Sequence, residues 1–420
     1  MSIHTHTHDF SPYPSQEGQG VSLYIHVPFC AKRCFYCSFY STTCGKRERE
    51  GYVEALLKEM ESRRNELSQT SAANAESNGT TAAATAPTHL STIYLGGGTP
   101  SQLDDAELHR VFTAIRRNFT IAPDAEITME CNPDDLREGW HAAVGINRIS
   151  LGVQSFDDGI LSAINRRHSA AQAIEAVKAA HREGIHNVSI DLIYGLPGQT
   201  FDGWRRDVDH AAELSQTTDA EGHPAITHLS SYCLSIEPGT HLHTLLEAGK
   251  ITEADEDEAL RMYDYLVDTL KSAGFEHYEI SNFALPGFHS RHNSNYWRSV
   301  PYIGLGPGAH SYDGRSTRRW NLPDLHAYCK APLTSFEDEH LSPSELYDEL
   351  IMTRLRTAAG LPLRLLSSEE QKYLLRQARR FVSEGLLQVV DDSPEGCTLK
   401  LTRKGIFTSD AIFSDLMSEE

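Results

Sequence analysis

Tyr24-Ile25-His26-Val27-Pro28-Phe29-Cys30-Ala31-Lys32-Arg33-Cys34-Phe35-Tyr36-Cys37 carries three cysteines immediately after a short apolar run. That run, Leu23–Val27, is typical of a β-strand, and the cysteines follow it with the spacing C-x3-C-x2-C. Iron–sulfur clusters are usually held by four thiolates. Three thiolates would hold three irons and leave the fourth iron open, as a catalytic metal site keeps one position for its substrate. The stretch therefore predicts a 4Fe–4S cluster on its three cysteines, with S-adenosylmethionine as the ligand of the open iron.

Three other interpretations of these cysteines stay open. A zinc site would need a fourth ligand, for which Cys44 is the candidate. Cys34 and Cys37 alone would form a redox C-x2-C pair, which leaves Cys30 without a role. The same spacing also fits one face of a buried helix, although Pro28 and the preceding strand favour a loop.

A second motif, Tyr94-Leu95-Gly96-Gly97-Gly98-Thr99-Pro100, ends the next predicted strand. Glycines let the backbone adopt positive φ and approach a ligand closely. The spacing matches neither a dinucleotide fingerprint nor a P-loop, because no Gly-Lys-Ser/Thr follows. A glycine-rich turn is the simplest interpretation of the motif alone. Because the motif lies next to a loop with three cysteines, it predicts a binding site for the methionine end of S-adenosylmethionine.

Strands and helices alternate along the first half of the chain. The predicted strands are Leu23–Val27, Thr92–Leu95, Glu126–Glu130, Asn147–Leu151, Asn187–Ile193 and Ile226–Leu234. The predicted helices between them are Arg47–Arg64, Asp104–Asn118, Ser169–Glu183 and Phe201–Leu214. This alternation predicts parallel βαβ units, and six strands predict an α/β fold with a partial (β/α)6 barrel. Functional residues of such barrels collect at the C-terminal ends of the strands, where both motifs lie.

The pattern divides the chain into four regions. Residues 1–19 are expected to form a disordered tail. Residues 20–240 are the barrel core, in which residues 68–88 are rich in Ala, Ser, Thr and Asn and predict a flexible insertion. Residues 241–341 extend the barrel, with a helix over 252–272, a strand over 277–283 and a loop over 290–313. Residues 342–420 predict a C-terminal helical domain that resembles a winged helix.

Composition excludes several classes of protein. With 38 Lys and Arg against 58 Asp and Glu, the chain of 420 residues has a formal charge of −20, which argues against nucleic-acid binding. No apolar run approaches the roughly 18 residues that a membrane span needs, and the polar N-terminus lacks the apolar region of a secretory signal. The eight cysteines do not form a dense disulfide framework. We expect a cytoplasmic protein.

Motifs in matching order resemble the oxygen-independent coproporphyrinogen dehydrogenase family, called HemN-like, and its subgroup of HemW heme chaperones. The resemblance covers about residues 20–415. Beyond the cysteine and glycine motifs, it rests on Glu130-x-Asn132-Pro133, Leu151-Gly152-Val153-Gln154-Ser155-Phe156, Asn165-Arg166 and Asp191-Leu192-Ile193-Tyr194-Gly195-Leu196-Pro197. It implies a radical S-adenosylmethionine barrel.

The resemblance also implies binding roles at matched positions. The cluster-bound S-adenosylmethionine is expected against Tyr24, Tyr36, Gly97 and Glu130. A second such molecule would be lined by Gly98, Thr99, Gln154, Arg166, Asp191 and Cys233. Residue chemistry fits these roles, because a carboxylate accepts bonds from an ammonium or ribose hydroxyls and Arg166 can fork onto a carboxylate.

Two departures separate this chain from the dehydrogenase itself. That enzyme continues its cysteine motif with Gly and a fourth Cys, whereas here Cys37 is followed by Ser38-Phe39. Further on, His292-Asn293-Ser294-Asn295-Tyr296-Trp297 resembles the HNxxYW motif that is associated with heme in the chaperone subgroup. Histidine is a usual axial ligand of heme iron, so the resemblance implies heme binding by His292, Asn293, Tyr296 and Trp297. Without the resemblance, His292 would be interpreted as capping a turn. His310 is a second candidate ligand.

The resemblance therefore implies a heme chaperone whose partners are heme, recipient hemoproteins and a second copy of the chain. Its cofactors would be the 4Fe–4S cluster and S-adenosylmethionine, with heme as cargo. One alternative is a coproporphyrinogen III dehydrogenase that converts its substrate to protoporphyrinogen IX by radical oxidative decarboxylation. Another is a zinc or redox module without catalysis.

Overall fold

The computed structural model describes residues 20–43, 45–76, 89–136, 144–391 and 396–418. Six strands form its central sheet: β1 (Val21–Val27), β2 (His89–Gly97), β3 (Thr120–Cys131), β4 (Arg148–Gln154), β5 (Asn187–Tyr194) and β6 (His228–Cys233). They lie side by side in sequence order, and each pair is parallel. The helices of this part are α1 (Lys46–Glu76), α2 (Asp105–Asn118), α3 (Asp158–Ala163), α4 (Ala170–Arg182) and α5 (Phe201–Gln216). The predicted partial (β/α)6 barrel is confirmed.

Local sequence signals set the helix boundaries. Asp104 and Glu107 form a reciprocal capping box at the start of α2, and Ser169 and Gln172 do the same at the start of α4. Such boxes satisfy two backbone N–H groups that the first helical turn leaves without partners. Apolar side chains from the helices then pack on the sheet, which is nearly continuously buried along β1, as a parallel sheet covered on both faces requires.

The next region adds strands to both edges of the sheet. Its elements are α6 (His241–Glu247), α7 (Glu256–Ser272), β7 (Glu276–Glu279), β8 (Asn282–Ala284), α8 (Arg291–Trp297), β9 (Tyr302–Leu305), β10 (His310–Tyr312), β11 (Thr317–Asn321), α9 (Leu325–Lys330) and β12 (Phe336–His340). β8 pairs with β6 at one edge, and β9 pairs in parallel with β1 at the other. The sheet thus has twelve strands in the order β12-β11-β10-β9-β1-β2-β3-β4-β5-β6-β8-β7.

The last region is a small domain with its own apolar core. Its elements are α10 (Pro343–Leu355), β13 (Leu361–Pro362), α11 (Ser368–Ser383), β14 (Leu387–Asp391), β15 (Cys397–Leu401), α12 (Arg403–Ile406) and α13 (Ser409–Leu416). The three strands form an antiparallel sheet in the order β13-β15-β14. A small sheet beside helices agrees with the predicted winged-helix-like domain.

Three predictions of local structure differ from the structure. The flexible insertion predicted over residues 68–88 is helical up to Glu76, because α1 continues through that residue. Once a helix has nucleated, each further residue costs little, so an Ala-containing polar stretch extends it without apolar periodicity. Residues 77–88 lie outside the described residues, as does the predicted tail 1–19.

The segment over 290–313, predicted as a loop, contains α8, β9 and β10. Its helix begins after Ser290, whose side chain caps the N–H of Asn293, and its strands pair with partners distant in sequence. The strand predicted over 277–283 is a pair, β7 and β8, joined by a tight connection. Among the described helices, none has the length and apolar composition that crossing a bilayer requires.

Candidate functional site

The cysteine loop begins at the C-terminal end of β1, and its last residues hydrogen-bond to its first residues. The N–H of Cys30 donates to the carbonyl of Thr42 at 3.0 Å, and the N–H of Thr42 donates to Pro28 at 2.7 Å. All three thiols of the motif are partly exposed. Burial raises the pKa of the Cys37 thiol, and the nearby Cys34 and Cys30 act in the same direction. The three cysteines are therefore close enough to interact, on a loop with a fixed course, while Cys44 lies outside the described residues.

Arg166 joins this loop to the ends of two strands. Its Nη1 donates to the Cys34 sulfur at 3.2 Å, and its Nη2 donates to Asn132 Oδ1 at 2.7 Å. The Nη2 group also contacts the carbonyl of Gly152. Its Nε–H is buried without a partner among the described residues. Both Nη groups of the guanidinium, which were predicted to bind a ligand carboxylate, are therefore already hydrogen-bonded within the protein. Through Nη1 the guanidinium orients Cys34.

The backbone of the glycine motif bends at the end of β2, where two groups of β2 donate hydrogen bonds to the Glu130 carboxylate of β3. Gly97 has a φ of +108°, a conformation that L side chains rarely adopt. Its N–H donates to Glu130 Oε2 at 3.0 Å, and the Tyr94 hydroxyl donates to Oε1 at 2.8 Å. Desolvation raises the pKa of Glu130 to about 7, although the Tyr94 bond acts against that rise. The carboxyl therefore exchanges its proton near neutral pH.

Close packing requires a glycine at position 98, which could not be predicted from the sequence. A Cβ at this position would lie 2.8 Å from both the carbonyl oxygen of Phe29 and the carbonyl carbon of Pro28. These atoms belong to the backbone just before the first cysteine, so they cannot move without moving the loop. Gly98 therefore lets the end of β2 lie directly against the cysteine loop.

The positions predicted for the cluster-bound S-adenosylmethionine are brought together. Tyr24, Gly97 and Glu130 line one cavity. Tyr36 does not line that cavity; it lies beside Cys34 and Arg166, and burial is the main cause of its raised phenol pKa. The structure therefore brings three of the four predicted positions to one cavity and places Tyr36 against the cysteine loop.

The positions predicted for a second S-adenosylmethionine lie at neighbouring strand ends. Thr99 is buried, with its Oγ1 3.5 Å from the Cys30 sulfur. Gln154 ends β4 with a φ of +70°, a strained conformation for a residue with a side chain. Asp191 accepts a bond from Ser150 Oγ at 3.1 Å, and Cys233 is exposed at the end of β6. The strands β4, β5 and β6 are adjacent, whereas Thr99 follows β2, from which β4 is separated by β3.

A cavity of about 560 Å³ opens beside these residues, between the barrel and the C-terminal domain. Its volume is within the range of roughly 300–1,000 Å³ that is usual for cofactor and ligand sites. Seven Phe, Tyr and Trp side chains line it: Tyr24, Phe39, Tyr40, Tyr296, Trp297, Tyr302 and Tyr312. Helix α10 closes one wall with Leu346 and Leu350, and Arg318 and Glu349 form an ion pair at the cavity. The cavity can therefore hold a mainly apolar molecule that also has polar groups.

His292 is behind this wall rather than on it. Its side chain is 1% exposed. Its Nδ1 lies 2.8 Å from Thr92 Oγ1, and its Nε2 lies 2.8 Å from the Tyr296 hydroxyl. Burial lowers its pKa to about 3, so the ring is neutral. Both nitrogens are hydrogen-bonded inside the protein, while Tyr296 and Trp297 of the same motif reach the cavity. Asn293 contributes a backbone N–H to the helix cap.

Two other histidines line the cavity. His26 was not among the predicted site residues, although it is two residues after Tyr24 in β1 and so points to the same face. Its Nε2 donates to the Tyr40 carbonyl at 3.0 Å, and its Nδ1 lies 3.2 Å from the Tyr24 hydroxyl. His310 has an exposed ring that stacks on Trp320. Burial of part of this side chain and the charge of Arg318 lower its pKa. In the described part of the chain, no hydrogen-bond partner occupies its nitrogens.

Comparisons with known proteins identify relatives of this chain. Residues 79–211 match the family model of the Radical SAM superfamily. A heme chaperone HemW from Mycobacterium tuberculosis is 34% identical over 412 residues, which are 95% of this chain and 95% of that protein. Heme chaperone HemW from Escherichia coli is 34% identical over 306 residues, covering 71% of this chain and 72% of that protein.

A solved structure shares the fold. Coproporphyrinogen III oxidase (HemN) from Escherichia coli, described as a radical SAM enzyme, superposes with a TM-score of 0.74. The match covers 95% of this chain and 90% of that one at 21% identity, so it supports the architecture alone. The extent and identity of the sequence matches decide the family: this chain belongs to the HemW family of the radical SAM superfamily.

Proposed function

We propose that this protein is a heme chaperone that binds heme in the aromatic cavity and passes it to recipient hemoproteins. The observation that carries the proposal is the position of that cavity. It adjoins the cysteine loop through Tyr24, Gly97 and Glu130, and its remaining wall is mainly aromatic. Heme would therefore lie next to the two cofactors that the superfamily implies, a 4Fe–4S cluster and S-adenosylmethionine.

The cysteine loop fits the cluster. Cys30, Cys34 and Cys37 are free, partly exposed and near one another. Arg166 donates to the Cys34 sulfur, which favours the thiolate that iron requires. Three thiolates match a cluster with one open iron. When bound, such a cluster supplies one-electron chemistry to S-adenosylmethionine.

The groups around Glu130 fit S-adenosylmethionine. The Glu130 carboxylate, which the Gly97 N–H holds in place, would accept bonds from its ammonium or hydroxyl groups. The buried Nε–H of Arg166 lacks a partner among the residues described, and it would donate to a carboxylate. Burying a hydrogen-bond donor without an acceptor costs free energy, and a ligand that accepts the bond would remove that cost.

The aromatic cavity fits heme, and His310 is its best-placed axial ligand. A neutral imidazole with uncommitted nitrogens can donate a lone pair to iron. His292 is hydrogen-bonded to the Tyr296 hydroxyl and so fixes the position of Tyr296 in the cavity wall. Trp297 has a buried N–H that meets no described acceptor. At the same cavity Arg318 is ion-paired with Glu349, but its buried Nε–H likewise meets no described acceptor. Both would bind the heme propionates. An imidazole ligand would have no role toward a porphyrinogen without metal.

Anaerobic reconstitution tests the cluster part of the proposal. Wild-type protein should contain about four irons and four sulfides per chain, and Cys30→Ala/Cys34→Ala/Cys37→Ala should lose them. Cys44→Ala is the matched control and should keep the full cluster. A cluster retained in the triple variant, or lost in Cys44→Ala, would contradict the assignment. The cytoplasmic location and a second copy as partner stay predictions.

A further inference from the structure

Three histidines and an aspartate meet at the end of the barrel opposite the cysteine loop. His181 lies near the end of α4, and His186 directly precedes β5. Asp219 and His223 lie between α5 and β6. These residues are therefore at the N-terminal ends of β5 and β6, whereas the cysteine loop follows the C-terminal end of β1. Nothing in the proposed function uses this cluster.

The potential ligand atoms are spaced like ligands of one ion. His181 Nδ1 lies 3.2 Å from Asp219 Oδ2, and His186 Nδ1 lies 3.5 Å from the same oxygen. The two Nδ1 atoms are 3.4 Å apart. In a tetrahedral zinc site with nitrogen and oxygen ligands at about 2.0–2.2 Å, neighbouring ligand atoms are about 3.3–3.6 Å apart. The three observed separations lie within about 0.1 Å of that range.

The backbone determines which nitrogen of His181 is available. Its Nε2 lies 3.0 Å from the carbonyl oxygen of Ala225. A carbonyl can only accept, so Nε2 carries the hydrogen, and a neutral His181 presents the lone pair of Nδ1 to Asp219. A lone pair facing a carboxylate oxygen is unfavourable unless a proton or a metal cation lies between them, and a metal ion can bind both atoms at once. Metal-binding histidines typically have this second-nitrogen bond to a carbonyl.

Asp219 is held in place without a metal. Its Oδ1 accepts the N–H groups of Glu221 and His223, both at 2.9 Å. The surrounding turn is closed by the N–H of Ala225, which donates to the Thr217 carbonyl at 2.8 Å. Oδ1 is therefore occupied, and Oδ2 is the oxygen that faces the histidines. Such preorganisation lowers the cost of ion binding.

His223 offers a further ligand on the exposed side. Its Nδ1 lies 3.2 Å from Asp219 Oδ2, and its ring stacks on His186 with centroids 3.8 Å apart. The side chain of His223 is 41% exposed, against 9% for His181. An ion can therefore enter from solvent on the His223 side and complete its coordination there with His223 or water.

From these contacts we propose that His181, His186 and Asp219 bind a divalent transition-metal ion of the Zn²⁺ type. Imidazole nitrogens and one carboxylate are common ligands of zinc. The ion would join α4 and the start of β5 to the turn before β6. It would stabilise this end of the barrel without taking part in chemistry at the cysteine loop.

Zinc binding to the full-length protein with its iron–sulfur cluster in place tests the proposal. Because His4, His6 and His8 could also capture metal, the background carries His4→Ser/His6→Ser/His8→Ser. Bound zinc is counted by elemental analysis after dialysis, and affinity is measured by competition with a chromophoric chelator. Asp219→Asn keeps the backbone bonds of Oδ1, and His186→Gln is a second variant. His109→Ala changes an exposed histidine on α2 and is the matched control.

The background protein and His109→Ala should bind one zinc ion per chain with the same affinity. Asp219→Asn and His186→Gln should bind it about 100-fold more weakly, at the upper end of effects known for altered metal surroundings. Cobalt in place of zinc should give visible bands without sulfur charge transfer, and these bands should disappear in both variants. A background protein that binds no zinc, or variants with unchanged affinity and cobalt spectra, would overturn the proposal.

Discussion

Changing Glu130 to Gln should remove the part of the pH dependence of S-adenosylmethionine binding that comes from this carboxyl. The carboxyl has a pKa of about 7 because it is desolvated in the barrel. Its charged form is the better acceptor for an ammonium group or for hydroxyls. Because this pKa is raised, the Glu130 carboxyl of the protein without ligand is mostly protonated below pH 7. The favourable interaction is therefore present above pH 7 and is lost as the pH falls through that value.

The size of the effect follows from the pKa. Between pH 8 and pH 6 the ionised fraction of a group with a pKa of about 7 falls about tenfold, which corresponds to about 1.4 kcal/mol. We expect the affinity of the wild type for S-adenosylmethionine to fall by that factor. The amide that Glu130→Gln introduces cannot ionise, so the variant should bind more weakly at pH 8 and should lack the tenfold change that comes from the carboxyl.

The assay is equilibrium binding to reconstituted protein under anaerobic conditions at pH 6, 7 and 8. The ligand has its own titrating amino group, which affects the wild type and the variant equally. The ratio of their affinities therefore isolates Glu130. A ratio that stays constant across this range would refute the assigned role of the carboxylate.

Three other substitutions separate packing from ligand binding. Gly98→Val should destabilise the fold by about 1–3 kcal/mol and reduce the cluster content, because its side chain meets the backbone of Pro28 and Phe29; unchanged iron content and unfolding midpoint would contradict this. His292→Ala should lower the free energy of unfolding by about 2–4 kcal/mol, since two buried hydrogen bonds and a ring are lost, but it should leave the ligation spectrum of bound heme unchanged. A changed ligation spectrum would restore His292 as the ligand. Arg166→Lys should lower the yield of reconstituted cluster, because the bond to Cys34 and the one to Asn132 cannot both be kept; a full yield would count against the orienting role.

Much of the barrel could be predicted because its signals are local. Apolar runs, helix caps such as Asp104 and the alternation of the two patterns identify β1 to β6 and the helices between them. The same topology brings Tyr24, Gly97 and Glu130 together, because parallel strands end at one edge. The glycine motif could be placed beside the cysteine loop from the sequence, whereas Tyr24 and Glu130 were assigned to the site by the family resemblance, with which this topology agrees.

The rest depends on contacts between distant parts of the chain. β9 pairs with β1 across about 280 residues, and no local pattern around Tyr302 specifies that partner. Leu346 and Leu350 reach the cavity only because the C-terminal domain packs there. His292 satisfies the heme motif in sequence, yet its bonds to Thr92 and Tyr296 could be known only from the fold.

The most direct test of the heme-chaperone account is an anaerobic heme titration of one reconstituted sample, followed by a coproporphyrinogen III assay on that sample. We expect one heme per chain with an absorption spectrum of histidine ligation. His310→Ala should lose or alter that spectrum, His109→Ala should keep it, and coproporphyrinogen III should not be consumed. Turnover of coproporphyrinogen III without stable binding of heme would contradict the account.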